Sequence, residues 1–133
     1  MFALSLPKDK LSKHIFILWL VLSISALACS GLYSFLPYAL RTPFLAKIFH
    51  LNHLFDISLM VHVNLGVLVW FLSCSAMLMV LITKESLMPI SFTAFISSMI
   101  GTIFIIASPF IGTSEAVKND YIPILHNLTF ILG

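Results

Sequence analysis

Apolar residues run almost unbroken through three stretches, Ile15 to Leu36, Phe55 to Thr83 and Ile90 to Gly112, with short polar clusters between them. A bilayer core of roughly 30 Å requires about 20 helical residues, and each stretch is long enough. Lipid offers the backbone no hydrogen-bond partners, so such a stretch satisfies its own N–H and C=O groups by folding as an α-helix. The pattern predicts an all-α fold: an integral membrane bundle of three transmembrane helices forming a single membrane domain over residues 1–133. Pro37 lacks a donor and is expected to end the first span. Asp56 falls in the first turn expected for the second, where a carboxylate suits the helix amino end. Pro89 and Gly112 bracket the third, matching the usual placement of proline and glycine at helix ends.

The connections differ in character. Thr42 and Pro43 read as a cap and a first-turn proline ahead of an interfacial helix over 43–54, with Phe44, Leu45, Ile48, Phe49 and Leu51 toward lipid and Lys47, His50 and His53 toward water. The loop from Lys84 to Met88 is so short that the second and third spans must be antiparallel neighbours. The tail over 113–133 begins polar, turns apolar from Tyr121, and reads as the start of a further element.

Composition supports a membrane class. The chain is 60% hydrophobic and 9% charged, with a mean hydropathy of +1.10, whereas soluble domains have about 25% charged residues. The charges flank the spans and none lies at a span centre, so the net charge of +2 describes membrane flanks and not a nucleic-acid surface. Lys8, Lys10, Lys13 and Lys84 fall on one side, against Arg41, Lys47 and Lys118 on the other. That small excess favours a cytoplasmic amino terminus. The first span is 22 residues long, more than the roughly 7 to 15 of a signal-peptide core, so a spanning helix is expected. Cys29 and Cys74 sit in separate spans and are expected to be small packing residues. No GxSxG, HExxH, CxxC or phosphate-loop pattern occurs, and no acidic pair lies inside a span, so the chain is not expected to be an enzyme by itself.

One polar group stands out. His62 lies in the second span, roughly 10 Å from its start at 1.5 Å per residue, and an ionisable residue at that depth calls for a partner or a function. With Gly66 and Trp70 it forms a stripe that Ser58 and Ser73 extend. An imidazole on a rigid helix, beside a glycine that leaves space for a planar group, suits an axial metal ligand of a haem. The same residues also suit plain helix packing, with His62 hydrogen-bonded to a neighbouring helix and Gly66 permitting close approach. His50 and His53 have too few companions to hold a metal. Ser97 and Gly101 look like a small-residue packing seam, and Pro109 is expected to kink or end the third helix.

Taken together, LYSFLPYALRTP (Leu32 to Pro43), LMVHVNLGVLVWFLS (Leu59 to Ser73), ASPFIG (Ala107 to Gly112) and NDYIPILHNLTFILG (Asn119 to Gly133) resemble the amino-terminal part of subunit I of the haem-copper oxidases, in a divergent bacterial version. The resemblance implies that the chain corresponds to about the first quarter of such a subunit, as a truncated or split remnant in a bacterial cell membrane. It also implies that His62 occupies the position of an axial ligand of the low-spin haem, with Gly66 beside it. The family usually places glycine directly after this histidine, where Val63 and Asn64 stand here. The second haem ligand and the ligands of the oxygen-reducing centre come from later helices, so any haem would need a partner chain, a second fragment or another respiratory subunit. The alternative is a small structural or accessory three-span protein that packs against another membrane subunit and binds no cofactor.

Overall fold

The computed structural model describes residues 9–42, 52–82, 87–111, 115–117 and 124–133. Helix α1 covers Lys10–Leu40. The second span is built from α2 (Asn52–Val63), a π-helical segment (Asn64–Val69) and α3 (Trp70–Ile82). The third is α4 (Met88–Ala107), which tightens into a 3-10 turn over Ser108–Phe110. Strands β1 (Glu115–Val117) and β2 (Ile124–His126) pair antiparallel as a short ribbon, with Ala116 opposite Leu125, and α5 (Leu128–Ile131) follows. Among the described residues, three helical stretches are long and apolar enough to cross a membrane, Lys10–Ala39, Phe55–Ile82 and Met88–Phe110. The architecture is the expected all-helical membrane bundle, with the small ribbon added in the tail.

Several boundaries differ from the sequence expectation for physical reasons. Pro37 does not end the first helix, which continues to Leu40. A proline so near a helix end forfeits one backbone bond, and membrane helices absorb that loss through local adjustment and neighbouring groups. The second helix begins at Asn52, so Asp56 lies one turn inside it and not in the first turn. Residues 52–54 thus belong to the helix that carries the second span, whose membrane-crossing stretch starts at Phe55 as expected, while the remainder of the expected interfacial helix lies outside the described residues. Pro89 sits at the entrance of α4, and the regular helix stops just before Ser108 and Pro109, both as expected. Thr83 and Gly112 lie outside the described residues.

Asp9 shows why α1 starts where it does. Its Oδ2 accepts from the Ser12 amide at 2.8 Å and the Ser12 hydroxyl at 2.6 Å, satisfying one of the amide donors that a helix leaves unpaired at its amino end. The Ser12 hydroxyl bond, then the Ser12 amide bond, hold the Asp9 carboxyl below its ordinary pKa. Because the folded pKa is lowered, the cap is fully formed above the usual carboxylate range and is lost as pH falls through the lowered value. The Ser12 amide proton shift in NMR should therefore titrate only at acid pH in the native chain. Asp9→Ala should remove that titration and fray the first turn at neutral pH.

Packing gathers at two levels of the bundle. At one, Ile15, Trp19 and Leu22 of α1 meet Val80, Met88 and Phe95. The Trp19 ring stands edge-on to Phe95, with centroids 5.5 Å apart and planes at 82°, a preferred aromatic geometry. Its indole N–H reaches the Ser91 hydroxyl at 3.4 Å. At the other level, Tyr33, Ile57, Val61, Leu65 and Ile105 enclose Leu125 and Phe130 from the tail. The Tyr33 hydroxyl donates to the Ile106 carbonyl at 2.7 Å, joining the first and third spans. The Arg41 guanidinium lies 5.3 Å from the Phe55 ring centroid, a cation–π contact that holds the end of the first span against the start of the second.

Candidate functional site

His62 faces Ser30 of α1, and the pair makes a compact link. Imidazole Nδ1 lies 2.8 Å from the Ser30 carbonyl oxygen and 2.9 Å from its hydroxyl. A carbonyl only accepts, so Nδ1 carries the proton and donates to it. The Ser30 hydroxyl in turn donates to the His62 carbonyl at 2.9 Å. In the neutral imidazole this assignment leaves the lone pair on Nε2, and among the described residues no hydrogen bond reaches that atom.

Gly66 belongs to the same link. A Cβ placed there would come to 2.7 Å from the Ser30 hydroxyl oxygen, closer than such atoms approach one another. The space that the missing side chain leaves is therefore taken by Ser30, and the two helices come together at this point. Gly66 does not line the cavity enclosed by the three spans, nor does His62.

The stripe anticipated from helical spacing is only partly realised. Ser58 and Ser73 are buried, and the Ser73 hydroxyl donates to the Val69 carbonyl at 2.6 Å. Trp70 departs from the stripe, with 37% of its surface exposed. The π-helical segment lies between His62 and Trp70, so the spacing of a continuous α-helix does not hold across them. At its start the Asn64 side chain donates to the Met60 carbonyl at 2.9 Å.

Other candidates fall elsewhere. Ser97 is exposed, so the expected seam with Gly101 is not formed; Gly101 alone is buried. His126 lies in β2 and His14 is exposed on α1. His50 and the side chain of His53 lie outside the described residues. Cys29 and Cys74 are free thiols, half-buried in separate helices. Among the described residues no group of three or more His, Cys, Asp or Glu side chains is arranged to hold a metal.

Two residues do more than sequence reading foresaw. Ser30 is one; its only sequence signal is a small polar residue next to Gly31 in an apolar run. Asn127 is the other. Its amide donates to the carbonyls of Ser108 at 3.1 Å and Ile111 at 2.7 Å, while its Oδ1 accepts from the Thr129 amide at 2.9 Å. One side chain thus satisfies carbonyls at the end of the third span and caps the start of α5. Asn127→Leu should strand these groups and cost about 1–3 kcal/mol per unsatisfied buried partner. The check is thermal unfolding in mild detergent, where Asn127→Ser, which keeps an acceptor for the Thr129 amide but not both donated bonds, should fall between native and Leu.

These features define an integral membrane helix bundle whose first two spans are joined by a histidine–serine link. No family model matches the chain, and no solved structure does. It is similar to uncharacterized protein RP382 of Rickettsia prowazekii (strain Madrid E), at 33% identity over an alignment 139 positions long, gaps included, that covers 86% of this chain. The match covers 27% of that protein, so the chain spans about a quarter of the relative's length.

Proposed function

We propose that the chain is a structural unit of a multi-pass bacterial membrane protein, a three-span bundle that packs against further membrane helices. The observation behind this reading is the direction of the His62, Gly66 and Ser30 contact. His62 Nδ1 and Gly66 turn inward to join α1, which commits that nitrogen and that space to helix packing. The outer faces keep large apolar side chains exposed, among them Leu32, Phe35, Leu68, Phe71, Leu72 and Ile82, as lipid or neighbouring helices require. The greater length of the Rickettsia relative supports the same view. The bilayer in question is the cell membrane, with the amino terminus in the cytoplasm, as the lysine distribution favours.

One observation favours a second reading, that the chain descends from a haem-copper oxidase subunit I and that His62 is a haem ligand. With Nδ1–H held by a backbone carbonyl, the imidazole has the orientation and tautomer that ligating histidines commonly adopt. His62 would hold the iron of a haem through Nε2. Gly66 does not fit as the cradle of a macrocycle, because Ser30 fills it. A bound haem would supply electron-transfer chemistry, while this chain would hold and orient the imidazole. The test is the absorption spectrum of the protein purified from haem-replete membranes together with its associated chains. A Soret band present in the native protein, lost in His62→Ala and kept in a variant on the outer face of the same span, Val67→Ala, would support the ligand reading. Identical haem-free spectra for native and variant would leave the structural one.

A further inference from the structure

We propose that the cleft between the amino ends of α1 and α4 binds a phospholipid with an anionic headgroup, its phosphate at Lys10 and His14 and one acyl chain along Ile15, Leu18 and Phe92. The cleft has a volume of about 350 Å³ and is lined by Lys10, Leu11, His14, Ile15 and Leu18 of α1 and by Phe92 of α4. Lys10, His14 and Leu18 follow one another at intervals of four residues, so they share one side of the helix and span about 12 Å at 1.5 Å per residue. The two polar groups stand at the water end. Deeper in, the lining is apolar, with Ile15 buried and Phe92 half-exposed. A lipid with its head at the interface and its chain toward the bilayer centre has the same order of polar and apolar parts.

The charge of this end selects the headgroup. Lys10 and Lys13 stand in the opening of α1, whose first turn holds no acidic residue, at the helix end where cations are disfavoured. Three residues apart, they are close enough to repel one another. Asp9, the carboxylate described at this end, is turned to the Ser12 amide and hydroxyl, and among the described residues Lys10 makes no ion pair. On the same side of the bundle α4 begins at Met88 with no side-chain cap from Leu87 and no acidic residue in its first turn, which adds a second positive helix end. A phosphate relieves this excess, and basic pockets between transmembrane helices are known seats for anionic headgroups. In a zwitterionic lipid the phosphate already has its own ammonium, so Lys10 gains less from it.

The experiment places a photoreactive benzoylphenylalanine at Phe92 in the natural gene product, reconstituted in liposomes of equal parts phosphatidylglycerol and phosphatidylcholine, with the adducts identified by mass spectrometry. Ile82, 77% exposed at the end of the second span on the same side of the membrane, is the control site. The expected result is about a fivefold excess of phosphatidylglycerol among the Phe92 adducts, the factor that one lysine contributes near an anionic surface, and near parity at Ile82. Lys10→Gln should abolish the excess and Lys10→Arg should keep it. Lys13 does not line the cleft, so Lys13→Gln, which removes the same charge from the same helix end, should leave the excess in place. Parity at Phe92 in the native protein would overturn the proposal. Equal losses in the Lys10→Gln and Lys13→Gln variants would also overturn it, since they would assign the excess to the charge of the whole surface. Adducts from Phe92 to protein would do the same by showing the cleft covered by polypeptide.

Discussion

Gly66→Leu should destabilise the bundle by about 1–3 kcal/mol, the usual cost of forcing extra methylenes into a filled contact. The obstacle is specific. A Cβ at this position already meets the Ser30 hydroxyl oxygen at 2.7 Å, and that hydroxyl is engaged with both the ring and the carbonyl of His62. Moving Ser30 aside therefore breaks the link as well as the packing. Losing the hydrogen bonds alone costs less, since interhelical hydrogen bonds in membranes average about 0.6 kcal/mol, so His62→Leu should be the milder variant. Ser30→Gly should recover part of the Gly66→Leu loss when the two are combined, because neighbouring sites that share an obstacle are not additive. Thermal unfolding in mild detergent reads all four proteins. An unchanged midpoint for Gly66→Leu would mean that α1 does not approach the second span at this glycine.

Trp19→Ala should cost about 2–4 kcal/mol, somewhat below the 3–5 found for such truncations in water-soluble cores. The reduction has a reason. Lipid tails are as apolar as the interior of a bundle, so much of the transfer free energy that penalises truncation in water is absent. What remains is the lost contact with Phe95, the bond to Ser91 and the enlargement of a cavity that Trp19 already lines. Trp19→Phe keeps an aromatic edge against Phe95 and should lose less than half as much. Circular dichroism melts of the two variants separate these outcomes. Equal destabilisation by Phe and Ala would assign the role of Trp19 to its indole N–H and not to its ring.

The two predictions differ in how far sequence could have supported them. The three spans were legible because apolar length is a local property, and the backbone must satisfy itself within each span whatever its neighbours do. Pro89 and Pro109 were legible for the same reason, since each acts on its own turn. His62 was singled out because an imidazole in an apolar run is costly wherever it points. Its partner was not, because Ser30 lies 32 positions away and hydropathy does not distinguish one serine in an apolar helix from another. Pro37 misled for a related reason: removing one donor ends a helix only if nothing else supports the next turn. The π-helical segment between His62 and Trp70 was not legible either, since no periodicity of the apolar pattern announces it.

The sequence by itself determined that this is a membrane protein, how many helices can cross, roughly where they begin and end, and which polar residue in them needs explanation. Only the tertiary structure decided which way those helices face, because each span is apolar nearly all round and lipid accepts any face of it. The choice falls to a few contacts that hydrophobicity does not rank: the Ser30 hydroxyl in the space left by Gly66, the Asn127 amide across two helix ends, and the close meeting of Gly101 with Gly133. In a medium without a hydrophobic drive between helices, packing and hydrogen bonds of this kind set the arrangement.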